Sequence, residues 1–153
     1  MTQVAQVAIL KPLMVGAGAV LCTICIHAML LGATVNLFRR EARLHRAGIR
    51  YVIDFTIVVV VMSFAFVAHV VETGVWAWLF MLCGEFQTFA PAFYHSAVNY
   101  STLGYGDVVM SAAWKLLGPI EAADGALMFG VSTAMIFAVI LRLMKLRFAD
   151  LRD

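Results

Sequence analysis

The residues with the most distinctive spacing are Thr102-Leu103-Gly104-Tyr105-Gly106-Asp107. Five successive peptide carbonyls, Thr102 to Gly106, precede one carboxylate. Turning successive carbonyls toward one axis requires an alternating, partly left-handed backbone, which glycine adopts at little steric cost. Several copies of such a loop around an axis make stacked rings of oxygens that replace the water shell of a dehydrated monovalent cation. Many partial dipoles then hold the ion with no fixed charge beside it, so binding is strong enough for entry and weak enough for exit. The Thr102 hydroxyl adds a ring at the inner end. Asp107, just outside, is placed to anchor the loop by hydrogen bonds and to attract cations.

Other ionisable groups sit in apolar stretches, where such a residue is a functional candidate by default. His69 and Glu72 are three residues apart and share a helix face. They can pair with each other, or with Asp124 or Tyr94, and His69 can then sense pH. The simpler reading is a structural hydrogen bond. Glu121 and Asp124 fall where a helix begins, an end that suits negative charge. His27 and Asn36 have too few ligands nearby for a metal site. Cys22 and Cys25 form a C-x-x-C with no second pair and no neighbouring base, and read as two small buried residues on one helix face. With Cys83 they make no disulfide framework. There is no nucleophile–histidine–acid set, phosphate loop or metal motif. The expectation is no enzyme, no cofactor beyond a permeant ion and no small-molecule substrate.

Holding such a loop requires rigid flanks. The chain is 63% hydrophobic and 13% charged, whereas soluble domains run nearer half apolar and a quarter charged. That imbalance argues for a membrane protein, and no charge block suits nucleic acid. A first apolar run, Pro12 to Phe38, is long enough to cross a bilayer and too long for the core of a cleaved leader. A hinge with five arginines follows: Arg39, Arg40, Arg43, Arg46 and Arg50. The second run extends from Tyr51 to about Cys83. Its Ile57–Val61 stretch is β-branched, but a lone strand leaves its backbone unsatisfied in lipid, so length decides for helix. A third run goes from Gly118-Pro119 to about Leu146, with Pro119 at the first helical position. Gly125 and Gly130 within it suit either a hinge or close packing. Between the second and third runs, Phe89 to Ser101 is too short to span. It can dip into the membrane only where its irregular continuation is buried in protein or lines a water-filled path. The expected fold class is an all-α membrane protein with three transmembrane helices, a re-entrant pore helix and a filter loop.

Lysine and arginine counts orient the spans. The Arg39–Arg50 hinge and the tail with Arg142, Lys145, Arg147 and Arg152 face the cytoplasm of a multi-pass cell-membrane protein. The N-terminus and residues 84–117 face outward, with Lys11 and Lys115 as their only lysines and no arginine. Trp76, Trp78 and Trp114 then fall in an outer aromatic belt.

The hexapeptide, preceded by a candidate pore helix and followed by a candidate inner helix, resembles the potassium-channel signature T-V-G-Y-G-D. The likeness covers about Tyr51 to Arg147. It implies that residues 51–153 are a pore domain, with an outer helix over about 51–83, a pore helix over about 89–101, a filter at 102–107 and an inner helix over about 118–146. Residues 1–50, the first span and basic loop, are an addition to that plan. The resemblance also implies a homotetramer whose ion-binding filter is Thr102, Leu103, Gly104, Tyr105 and Gly106, with K+ held at Thr102 to Tyr105. Asp107, Tyr94 and His95 would support it, and His69, Glu72 and Asp124 are possible modulators. Leu103 stands where valine or isoleucine is usual. Tyr94-His95 replaces a pair of aromatic residues found in many members, and Val98 replaces a glutamate found in some. The alternatives to a potassium channel are a weakly selective cation channel, prompted by Leu103, and a non-conducting subunit that regulates another channel.

Overall fold

Four helices carry the chain: α1 (Leu10–Arg43), α2 (Tyr51–Leu82), α3 (Phe89–Tyr100) and α4 (Leu117–Asp150). The architecture comes from a computed structural model, which describes residues 9–43 and 51–150, and no strand occurs among the described residues. Arg46 and Arg50 of the basic hinge, and Arg152 of the tail, lie outside the described residues. α1, α2 and α4 are each long and apolar enough to cross a membrane. α3 has 12 residues and rises only about 18 Å, well short of a bilayer core. Phe55, Phe66, Leu127 and Phe137 are all more than half exposed, as suits helices in an apolar medium, where hydrophobic burial no longer drives packing. The same physics corrects the reading of Cys22 and Cys25, which are exposed and not buried. In such a medium a thiol gains little from burial, so an apolar run cannot choose its face.

The chain forms two compact units. The first joins α1 up to Cys25 with His69–Met128. Its core is built on Ala19, Trp76, Phe80, Tyr100, Met110, Leu117 and Met128. α2 ends in a glycine cap: Gly84 has φ 79°, its N–H bonds the Met81 carbonyl at 2.9 Å, and the Glu85 N–H bonds Phe80 at 3.1 Å. This pattern satisfies carbonyls that a helix end leaves unpaired. Glu85 then accepts from the Ser111 N–H at 2.8 Å and the Ser111 hydroxyl at 2.6 Å, tying the chain beyond the glycine loop to the end of α2.

Two expectations fail in this unit. Trp76 is fully buried, and its indole N–H donates to Asp124 at 2.9 Å; it belongs to the core and not to an interfacial belt. Trp78 is 59% exposed. α4 starts at Leu117, which puts Pro119 third and Glu121 beyond the first turn. Both Gly118 and Pro119 fit that turn, where backbone N–H groups have no helical partner. Glu121 is fully buried and so is not a solvated helix-start charge.

The second unit joins Ile26–Ala68 with the chain from Phe129 onward. Ile57, Val61, Val139 and Leu143 form its core, with Phe38, Ile53 and Met135 packed around them. His27 is buried, and its Nε2 lies 3.0 Å from Ser132 Oγ. Asp54 pairs with Arg147 at 3.4 Å, and the same guanidinium lies over the Tyr51 ring at 5.5 Å. A carboxyl near the start of α2 is thereby neutralised by α4.

Candidate functional site

The glycine loop begins where α3 runs out of partners for its last carbonyls. The Val98 carbonyl accepts from the N–H groups of Leu103 at 3.0 Å and Gly104 at 3.1 Å, and the Asn99 carbonyl accepts from Thr102 at 2.8 Å. These bonds fold the chain back over the C-terminal, negative end of the helix. From there φ alternates: 62° at Thr102, 60° at Gly104 and 72° at Gly106, with Leu103 and Tyr105 outside the positive range. Left-handed backbone recurs at every second residue. Glycine takes it freely, whereas a β-branched threonine holds it only where its surroundings impose it. Thr102 through Asp107 are all exposed in the single chain.

The far end of the loop is fastened twice. The Tyr94 hydroxyl donates to Asp107 Oδ2 at 2.7 Å, while Asp107 Oδ1 accepts from the Val108 N–H at 3.1 Å. The bond to Asp107 raises the Tyr94 phenol above its ordinary value, so it remains a donor at neutral pH. His95 is buried, edge-on to Phe80 and tilted against Phe86, with ring centroids at 5.4 and 5.3 Å. The Asn99 amide donates to His95 Nε2 at 2.9 Å, and the imidazole also hydrogen-bonds the Val108 backbone. Burial lowers its pKa below the ordinary value, which favours the neutral ring. Tyr94 and His95, one helical position apart, thus both reach the segment that closes the loop.

Behind α3 stand three buried carboxyls. Tyr100 donates to Glu72 Oε2, and His69 Nδ1 lies 3.2 Å from the Tyr100 hydroxyl and 3.4 Å from Glu72. Of the pairings open to His69 and Glu72 in the sequence, the structure shows their mutual contact and adds Tyr100. Ser96 Oγ is 2.7 Å from the Thr73 carbonyl and 2.5 Å from Glu121 Oε1, so one hydroxyl links α3 to both α2 and α4. Asp124 Oδ2 accepts from Thr23 Oγ1 at 2.8 Å and from Trp76 at 2.9 Å. A Cβ at Gly125 would collide with the Tyr100 carbonyl. Close approach of α4 to the end of α3 accounts for that glycine. None of the Ser96, Thr23 or Gly125 contacts carries a signal in the sequence, since each joins residues distant along the chain.

The ion channel family matches residues 56–142, more than half of the chain. This chain belongs to the ion channel family. The matched stretch contains most of α2, all of α3, the glycine loop and α4 as far as Arg142, and leaves α1 outside. It agrees with the likeness to a potassium-channel pore domain. No curated protein and no solved structure matches the chain. Members of the family generally form oligomeric pores in membranes, and the three long apolar helices make this ion channel a membrane protein.

Proposed function

We propose that this channel conducts potassium selectively and passively through a homotetrameric pore. The carbonyls of Thr102, Leu103, Gly104 and Tyr105, with the Thr102 hydroxyl, are the ion ligands. The observation that carries this reading is the alternation of φ at Thr102, Gly104 and Gly106. Stacked carbonyl rings need successive peptide planes turned the same way, and left-handed residues at alternate positions provide that turn. Exposure of the whole loop in one chain fits a segment that its symmetry copies complete. Asp107 and Tyr94 hold the outer end, α2 is the outer helix and α4 lines the pore. Residues 1–50 supply a separate span. The lysine and arginine distribution orients a multi-pass cell-membrane protein with its N-terminus outside and its C-terminus in the cytoplasm.

Leu103 supports a second reading, a weakly selective cation channel. Its carbonyl is unchanged, but a γ-branched side chain packs differently from valine, and it is 54% exposed in the single chain. Purified protein in liposomes tests both. Potassium flux well above sodium flux is expected, and Gly104→Ala should abolish it because a Cβ resists φ near 60°. Selective flux that survives Gly104→Ala overturns the assignment. Equal permeability to the two ions selects the second reading, and no flux in the absence of another protein selects a regulatory subunit.

A further inference from the structure

We infer that the second unit binds one anionic glycerophospholipid, with its phosphate held by Arg39 and Arg142 and an acyl chain lying in an apolar groove between α1 and α4. The groove has a volume of about 330 Å³ and is walled by Val35, Phe38, Met135, Ala138 and Val139, with Thr34 beside them and Arg39 and Arg142 completing it. In each helix the arginine is the last residue to line the groove. The two helices run the same way here, since His27 meets Ser132 upstream of both stretches. Both guanidiniums therefore gather at one end and the hydrocarbon wall occupies the other.

Arg39 also opens onto a second recess, of about 430 Å³, lined by Asn36, Arg39, Arg40 and Arg43. These positions follow the i, i+3, i+4, i+7 spacing of one helix face, and all four side chains are exposed. No acidic residue lines either cavity among the described residues. A molecule that fits must be apolar along one part and anionic at the other, and a membrane supplies it. Guanidinium groups grip phosphate oxygens in paired hydrogen bonds. Arg40 and Arg43 would oppose the cationic headgroup of a zwitterionic lipid, so the site selects net negative charge. A neighbouring groove makes the contrast. Arg147 also lines an apolar cavity, with Tyr51, Phe55 and Leu143, but its charge is already met by Asp54 at 3.4 Å.

The test reads bound lipid and is independent of conduction. The whole protein is reconstituted in vesicles of equal phosphatidylglycerol and phosphatidylcholine, extracted in detergent, and its retained lipid quantified. Wild type should retain phosphatidylglycerol over phosphatidylcholine by about tenfold, as expected for two or more arginines at an anionic headgroup. R39Q/R142Q should lose most of that preference, and Lys145→Gln, an exposed cation lining neither cavity, should keep it. Millimolar inorganic phosphate should not displace the lipid, because the groove contributes through the chain. Ala138→Trp, at an exposed residue that lines the groove and lies outside the buried core, fills the groove, spares both arginines and guards against a double variant that fails to fold; it should also lower retention. An unchanged preference in R39Q/R142Q, or in Ala138→Trp, overturns the proposal. Equal loss in Lys145→Gln also overturns it, since diffuse charge would then suffice, as does displacement by phosphate alone. An Ala138→Trp variant that keeps its lipid but dissociates the oligomer overturns it too, and would mean that a second copy covers the groove.

Discussion

The Tyr94 hydroxyl donates to Asp107 Oδ2 at 2.7 Å, thirteen residues along the chain. One end of this bond is on a helix and the other is just past the last left-handed glycine, so the whole loop from Thr102 to Gly106 is held between them. An exposed bond of this kind is screened, and its effect lies in restricting the loop more than in total stability. Tyr94→Phe removes the donor and keeps the ring. Conduction should start normally and then decay severalfold faster than in wild type in sustained recordings, with little change in the unfolding midpoint. A variant whose current holds as long as wild type's would show that the bond does not restrain the loop.

Gly125 and Gly130, five residues apart in α4, are separated by their surroundings. A Cβ at Gly125 meets the Tyr100 backbone, whereas one at Gly130 has nothing within 4 Å. Gly125→Ala should therefore destabilise the protein by about 1–3 kcal/mol or block its assembly, because a backbone carbonyl has no rotamer with which to yield. Gly130→Ala should be neutral within the protomer, or stabilise it by up to about 1 kcal/mol through helix propensity. Thermal unfolding of the two variants in detergent checks this. The opposite order would return Gly125 to the role of a hinge.

How much of this was legible in the sequence depends on the range of the interaction concerned. The three spans and α3 follow from run length and the demand that lipid places on the backbone, and they appear within a few residues of where composition sets them. The left-handed positions at Gly104 and Gly106 are legible because only glycine takes that backbone freely. Thr102 is not, since its φ is imposed by bonds from the end of α3. A tryptophan near a span end usually sits at the interface, but the buried acceptor that draws Trp76 inward, Asp124, lies 48 residues away. Glu121 behaves in the same manner. Its position near a helix start suits a dipole effect, but Ser96, 25 residues earlier, is what it meets. Pattern within one helix shows which residues are apolar and does not show which neighbour a buried polar group will find.

Asp124 Oδ2 receives two donors, Thr23 Oγ1 from α1 and Trp76 Nε1 from α2. Since they share one oxygen, their contributions should not add. Thr23→Val and Trp76→Phe should each cost about 1 kcal/mol, in the range measured for hydrogen bonds between membrane helices. The double variant should depart from the sum by about 0.5 kcal/mol or more. Unfolding in denaturant measures all three. Strict additivity would mean that the two donors serve Asp124 independently and that α1 is not coupled to α2 through it.

His95 gives a pH dependence with a definite sign. Burial lowers its pKa below the ordinary imidazole value of 6.5, against the opposing pull of the Val108 backbone bond, Asp107 and Glu85. The unfolded chain therefore takes up its proton first as pH falls. Stability that is fully present above about pH 6.5 should be lost progressively on acidification below it, down to the lowered folded value. The unfolding midpoint should drop by a few degrees between about pH 7.5 and pH 5, and the drop should be smaller in His95→Gln, whose amide cannot take up the proton. Because His95 bonds the Val108 backbone, the loss should appear first next to Asp107, as faster hydrogen exchange there than in the middle of α4. An acid profile that is the same in wild type and His95→Gln would assign the dependence to groups other than His95.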